Sequence, residues 1–302
     1  MTASTQQMSL SPRAWAELGL LALIWGASFL SVRIALDEVG PLTAVAHRVG
    51  WAMVVLWGIV LIRRLDVPRT PSALIGFLGM GLLNNVIPFS LMAWGQLHIE
   101  SGLAGILNAA TAIFGVLAAA VFFADERLTW RKMIGVTLGF LGVATAIGLT
   151  SLMQFDLRAL GQWAVIGGTV SYALAGVWAR KRLTGLHPIV AAAGMLTGST
   201  LFMVPMAMWF EGPLTFRLEL STWSAIGYFS IIATACAYLL YYRVLAMAGA
   251  GNLMLGTLLV APVAIVLGAI VRAEALPPSA YLGFGLLALG LIILNKGARA
   301  QR

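Results

Sequence analysis

Trp25–Arg33, WGASFLSVR, and Tyr172–Arg180, YALAGVWAR, read as two copies of one segment set 147 residues apart. Working outward, Pro41 falls on Pro188 at the same offset. Trp94 then falls on Tyr242, Glu126 on Glu274, Gly135 on Gly283 and Gly142 on Gly290, all at 148. Each copy has room for five membrane spans. Five is odd, so the second copy must enter the membrane in the opposite sense to the first. An inverted repeat of this kind, with units over residues 1–152 and 153–302, is the layout of a carrier that opens to either side.

Composition points the same way. The 302 residues are 60% hydrophobic and 10% charged, with a mean hydropathy of +0.93. A soluble core does not need so much apolar surface. Lipid does, because a span takes about 20 apolar residues to cross ~30 Å of hydrocarbon. Ten stretches qualify: roughly 14–36, 42–62, 72–94, 101–123, 131–150, 160–180, 187–209, 222–245, 249–271 and 277–295. The expected fold is therefore all-α and integral to the membrane, with ten transmembrane helices arranged as two inverted five-helix repeats. Connections of a few residues leave no room for a soluble domain. The first span runs straight into a second hydrophobic segment, without a small-residue cleavage site, so it reads as a span and not a removable signal.

A net charge of +8 would suit a nucleic-acid binder, but its distribution argues for topology. Alternate connections collect Arg13; Arg63, Arg64 and Arg69; Arg127, Arg131 and Lys132; Arg180, Lys181 and Arg182; Arg243; and Lys296, Arg299 and Arg302. The other side holds only Arg33, Arg158, Arg217 and Arg272, a split of 14 to four. The positive-inside rule then puts both termini in the cytoplasm of a bacterial inner-membrane protein. No nucleic-acid partner is implied. The single cysteine, Cys236, excludes an internal disulfide, and no Cys/His spacing suggests a metal or cofactor.

LALIWGASFLSVRIAL ahead of a Pro-started span, and ADERLTWRKMIGVTLGFLGV later, resemble the EamA family of the drug/metabolite transporter superfamily. The first half carries that pattern well. In the second half Tyr172 replaces the tryptophan, and Ala273-Glu274-Ala275-Leu276-Pro277 replaces the acid-Arg-Leu-Thr turn. Among members the chain looks most like the YddG-type bacterial exporters of aromatic and other neutral amino acids. The resemblance implies ten helices around a central cavity lined mainly by spans 1, 3, 4, 6, 8 and 9. Spans 5 and 10 would be peripheral.

The residues that suit such a cavity are few. Span 3 holds Asn84-Asn85-Val86-Ile87-Pro88. Two amides at hydrocarbon depth are costly unless they find partners or face water. Pro88 has no N–H, so the carbonyl of Asn84, four residues back, would lose its usual donor. That group either holds a zwitterion or serves as a hydrogen-bonded kink. In span 4, Ser101, Gly105, Asn108 and Ala112 recur at steps of four, three and four, with Thr111 alongside. This small, weakly polar face suits close packing or a cavity wall.

Span 1 offers Trp25 and Ser28, and span 6 offers Trp163, Ser171 and Tyr172. Span 8 sets Thr234, Tyr238 and Tyr241 at i, i+4 and i+7, and span 9 offers Asn252 and Thr257. Tyrosine and tryptophan near span ends also serve as interface-belt residues, but Tyr238 lies too deep for that. Pro88 and Pro262 are candidate flex points. Arg48, about 10 Å down span 2 from Pro41, is either structural, a gate or a carboxylate contact. Its neighbour His47 reads as a packing histidine.

Absences narrow the substrate. No Asp or Glu falls in the centre of a span, and no Lys either. The first counts against polycations and quaternary drugs, the second against phosphates and nucleotide sugars. A neutral or zwitterionic solute with an apolar body remains, exported by alternating access without proton coupling. Efflux of uncharged aromatic drugs through the same pocket is the alternative. An intramembrane enzyme would need a nucleophile–base pair, and His47 has no credible partner. Glycines 135, 139 and 142 in span 5 and 283, 285 and 290 in span 10 make small-residue faces. They suit internal packing, or a weak homodimer of an otherwise monomeric chain.

Overall fold

The computed structural model describes residues 11–124, 129–147, 157–244, 247 and 259–299, the last six of these as backbone. All regular structure among them is helical. In chain order the helices are α1 (Pro12–Ala35), α2 (Pro41–Ile62), α3 (Pro71–Gly95), α4 (Ser101–Phe122) and α5 (Trp130–Ile147). Then follow α6 (Leu157–Arg182), α7 (Pro188–Phe210), α8 (Leu220–Val244), α9 (Val260–Arg272) and α10 (Pro278–Arg299). Six of these, α1 to α4 together with α7 and α8, are long and apolar enough to cross a membrane. Their outer faces expose Ile62 at 84%, Val121 at 77% and Trp209 at 84%. Water would not tolerate so continuous an apolar surface, whereas lipid requires it.

Proline opens α1, α2, α3, α7 and α10. Its missing N–H is one the first turn leaves unbonded anyway, and its fixed φ is already helical. Ser11 and Thr70 complete two of these starts, their hydroxyls accepting from the backbone N–H of Ala14 and Ala73.

Three helices depart from regular α geometry. α3 widens to a π turn over Leu82–Val86, and α8 does so over Tyr228–Cys236. Moved by the 148-residue offset, the first stretch falls on 230–234, inside the second. In α4 the backbone tightens at Ala109–Ala110, where Ala109, Ala110 and Ile113 each bond a carbonyl three residues back. This break sits between Asn108 and Thr111.

Among the described residues, three hydrophobic clusters form the interior and each draws on both sequence halves; the smallest joins α1 to α8, and two are larger. One gathers α2, α3, α7 and α8; the other gathers α4, α5, α6, α9 and α10. α1 contributes to both, and Tyr172 of α6 packs against both. The sequence halves are therefore interleaved in packing.

Glycine lets the helices approach backbone to backbone. A Cβ on Gly142 would stand 2.5 Å from Leu287 N and 2.7 Å from Gly283 O. One on Gly290 would stand 2.6 Å from Gly135 O and 2.8 Å from Gly139 N. Gly142 thus pairs with Gly283 as Gly290 pairs with Gly135, the same contact with the halves exchanged. Residue numbers rise along α5 as they fall along α10, so the two helices run antiparallel. The glycine faces that suggested a homodimer contact are used inside a single chain.

A substituted Gly142 has only backbone to push against, and overpacking of that kind costs about 1–3 kcal/mol. Gly142→Ala is expected to lower the melting temperature in detergent. Gly285→Ala, with nothing within 4 Å of its Cβ position, is expected to leave it unchanged.

Candidate functional site

The site begins with the π turn of α3. Ile87 N–H donates to Leu82 O, five residues back, and Pro88 has no N–H to offer Leu83. The Leu83 carbonyl instead accepts the Ser171 hydroxyl of α6 at 2.6 Å. The sequence suggested that Pro88 would free the carbonyl of Asn84. The π turn shifts the ladder by one residue, and the carbonyl taken by a side chain is that of Leu83.

Close approach of α3 to α7 then places the amides. Gly81 and Gly198 sit where a Cβ would meet the opposite backbone at 2.7 and 2.9 Å. Asn85, fully buried, donates from Nδ2 to Ser199 Oγ at 2.8 Å. Asn85 Oδ1 accepts the Tyr238 hydroxyl at 3.0 Å. Asn84 Nδ2 lies 3.2 Å from both Tyr238 Oη and Asn85 Oδ1, and 3.5 Å from Met195 Sδ. Asn84 Oδ1 accepts no hydrogen bond from the described residues. Asn84, Asn85 and Tyr238 thus form one network, with Pro88 and Ser171 holding the turn beneath it. Met195 and Ser199 carry no signal in the sequence that marks them out. Met195 stands at the repeat position of Arg48, one turn before Ser199, between Gly194 and Gly198.

Arg48 adjoins this network. Its Nε donates to Thr234 Oγ1 at 3.0 Å, and the Thr234 hydroxyl donates in turn to Phe229 O, five residues back in the π stretch. The guanidinium carbon lies 3.9 Å above the Phe89 ring, and Phe89 meets Tyr172 edge to face at 6.4 Å. Thr234 and Tyr238 are one turn apart on α8. His47 points away from Arg48, into a cage of Phe216 and Trp223 at 5.6 and 5.8 Å.

Other candidates lie apart from this cluster. Trp25 packs on Tyr241 at 6.0 Å, within the α1–α8 contact, and the Ser28 hydroxyl returns to Trp25 O of its own helix. Trp163 is 48% exposed and shares its face with Leu160, Val170 and Leu174, so it covers the outside of α6. Asn108 makes no hydrogen bond among the described residues, and Thr111 Oγ1 is buried without one. No hydrogen bond joins either to the Asn84 cluster. Pro262 lies in the first turn of α9, beside Ala261 and Val263 at the α1 crossing. Asn252 and Thr257 lie outside the described residues.

Apart from Arg48, the described charged residues sit at or near helix ends. At the Arg272 end, Asp37 takes Arg272 at 2.6 and 3.0 Å, and Glu100 takes Arg158 at 3.0 and 3.2 Å. The Asp37 carboxylate holds the Arg272 guanidinium above its ordinary pKa. Three acids sit on helix N-termini, where unbonded N–H groups and the helix dipole favour an anion. Glu211 accepts from Leu42 and Thr43 at 2.9 and 2.8 Å, Glu38 from Glu219 N, and Glu274 from Ser101 and Gly102. Every one of these contacts joins one sequence half to the other. At the opposite end, the described contact of this kind is Glu17 with Arg243.

Two surface cavities also lie at the ends. One of about 260 Å³ is lined by Arg33, His98, Glu100, Arg272 and Glu274. The other, about 490 Å³, is lined by residues 64–68 and 185–187. Neither touches the Asn84 cluster. Both are bounded by solvated loop charges, so the mid-span chemistry is the better guide to a site.

A helical bundle that keeps its ion pairs at the ends, with a polar knot and a single arginine at mid-span, has the construction of a membrane carrier. Residues 15–148 and 159–296 each match the EamA-like transporter family, and the chain belongs to that family. A probable terminal-alkyne amino-acid exporter of Streptantibioticus cattleyicolor is 28% identical, covering 98% of this chain and 97% of that protein. An uncharacterized transporter of Archaeoglobus fulgidus is 24% identical over 94% of this chain and 99% of its own length. The uncharacterized inner membrane transporter YedA of Escherichia coli K12 is 22% identical, over 92% and 89%. A chain of known crystal structure aligns with a TM-score of 0.69 at 19% identity, covering 96% of this chain and 100% of that one. At that identity the likeness is one of fold.

Removing the Asn85 side chain leaves the Tyr238 hydroxyl without its acceptor and takes a donor from the Ser199 hydroxyl in a buried setting, a loss of about 1–3 kcal/mol. Asn85→Ala is expected to lower the melting temperature clearly, and Asn84→Ala, at a partly exposed position, to lower it less.

Proposed function

We propose that this chain exports neutral amino acids with an apolar body across a bacterial inner membrane, by alternating access around the cluster on α2, α3, α7 and α8. The observation that carries the reading is the Asn84–Asn85–Tyr238 network. It is polar, lies at mid-span, is held from three helices, and leaves Asn84 Oδ1 as an unclaimed acceptor for a substrate ammonium. Family membership and the name of the Streptantibioticus relative support an amino-acid substrate. Ion pairs at helix ends alone, among the described residues, favour gradient-driven movement without a proton-carrying carboxylate.

The inverted ten-span arrangement is part of the proposal. A repeat related by an axis in the membrane plane requires equivalent helices to run antiparallel and to exchange contacts. The glycine pairing of α5 with α10 supports this. A repeat related by an axis along the membrane normal would set them parallel. The 14-to-four charge split supports a cytoplasmic position for both termini and for the Arg64 end of α2. The cross-half contacts gathered at the Arg272 end support a state closed towards the outside. In this reading the two mixed bundles move against each other, with the α3 turn above Pro88 and the first turn of α9 at Pro262 as flex points.

Counterflow in proteoliposomes with labelled tryptophan, phenylalanine, leucine and alanine tests the function. Wild-type protein is expected to exchange the large apolar amino acids, and Tyr238→Phe to slow that exchange by roughly tenfold, the worth of one hydrogen bond. A wild-type protein that exchanges none of them would remove the exporter reading. For topology, green fluorescent protein fused after Arg302 is expected to fluoresce, and alkaline phosphatase at the same point to be inactive.

A further inference from the structure

We propose that Arg48 is the subsite for the substrate's carboxylate, so that the transported class is defined by a free carboxyl group on an apolar body. The inference rests on the exporter reading and deepens it.

Arg48 is a full positive charge well inside α2, a placement that insertion scales penalise heavily. In a stable fold such a charge is normally met by an acid. Here the ion pairs formed by described residues are Arg13–Glu17, Arg33–Asp37, Arg158–Glu100, Arg243–Glu17 and Arg272–Asp37, all near helix ends. Arg48 takes a hydroxyl and an aromatic face in their place. Those two contacts fix the group without neutralising it.

The orientation matters as much as the charge. Thr234 engages Nε alone, and its own hydroxyl hydrogen is committed to Phe229 O. Phe89 covers one face of the guanidinium plane. The two terminal nitrogens make no hydrogen bond to the protein among the described residues, and neither is a sealed, unsatisfied atom. Both therefore keep some accessible surface and an unused donor set. The Tyr172 hydroxyl, also without a hydrogen bond, belongs to the ring that packs edge-on against Phe89. A planar fork of unused N–H groups with a spare phenol nearby is the donor set that a carboxylate fills with two parallel bonds. The Asn84–Tyr238 network begins one helical turn along α8, which puts acceptors for an ammonium on the adjoining side.

Thr234 acts here as a positioning residue. Phe89 does too, holding the fork flat. An uncharged aromatic drug would leave the charge unmet, and an amine would add a second positive charge beside it. Both should be rejected, so this assignment separates amino-acid export from drug efflux by the same fold.

The test uses purified full-length protein and three probes on each of two bodies. On an indole body these are tryptophan, indole-3-propionate and tryptamine; on an isobutyl body, leucine, 4-methylpentanoate and isoamylamine. Binding is read by thermal shift and transport by counterflow. Wild type should bind the amino acid and the plain carboxylate and ignore the amine. Arg48→Gln should weaken both carboxylate-bearing probes by roughly 10- to 100-fold, the worth of a charge-assisted contact. Arg48→Lys, which keeps the charge but loses the fork, should fall between. If Arg48→Gln does not fold, the probe series on wild type and Arg48→Lys decides the matter. The inference is overturned if wild type binds the amines as well as the amino acids, if it binds neither carboxylate, or if folded Arg48→Gln or Arg48→Lys binds the carboxylates as wild type does. Should wild type move no amino acid in counterflow yet bind 4-methylpentanoate or indole-3-propionate through Arg48, the exporter reading fails and the subsite stands.

Discussion

In hydrocarbon a backbone carbonyl without a hydrogen-bond partner costs several kcal/mol, and at mid-span two helices of this protein step off the regular α ladder. The π turn of α3 leaves Leu83 O, which Pro88 cannot serve, to the Ser171 hydroxyl, and within the π stretch of α8 the Thr234 hydroxyl bonds Phe229 O. Those hydroxyls do more than bond the backbone. Ser171 ties α6 to the turn that carries Asn84 and Asn85. Thr234 receives Arg48 from α2. The polar centre of the molecule is built around the π stretches of α3 and α8.

The same constraint explains where glycine falls. Helices in lipid associate through close packing and hydrogen bonds, since lipid tails are as apolar as leucine. Gly81 with Gly198 brings α3 onto α7, and that approach sets Asn85 against Ser199. Gly142 with Gly283, and Gly290 with Gly135, join α5 to α10. These contacts run between sequence halves, as do the Arg158–Glu100 and Arg272–Asp37 ion pairs. Each hydrophobic cluster accordingly contains helices from both halves. In the transport cycle proposed above, the units that move against each other are these mixed bundles, and Tyr172 of α6 packs against both.

Much of this was legible in the sequence. The helical segments followed from hydropathy, and the repeat offset marked out residues whose packing is now seen to be equivalent, the α5 and α10 glycines above all. Asn84, Asn85 and Tyr238 stood out because amides and a phenol at that depth need partners, and they prove to be one another's partners. The π turns were not legible, since a one-residue shift in the ladder leaves no periodic signature over five residues. Pro88 pointed to the right turn but to a carbonyl one residue away. Met195 and Ser199 were hidden because neither residue type is unusual in a span. Trp163 and Tyr172 look alike as cavity aromatics in one dimension. Only the packed helix shows that Trp163 faces outward while Tyr172 faces Phe89. The repeat also proves deeper than residue comparison suggests. The amides of α3 have no chemical counterpart in α8, yet both helices carry the π stretch at equivalent positions.

The central claim is that an amino acid is held at mid-span with its carboxylate on α2. Solid-state NMR of the protein in lipid, with carboxyl-13C tryptophan bound and all arginines labelled with 15N in the guanidinium group, measures that contact directly. The account predicts dipolar dephasing of the bound carboxyl signal in the wild type and its loss in Arg48→Lys. Dephasing that survives the substitution, as a carboxylate held by Arg33 or Arg272 in the end cavity would give, would contradict it.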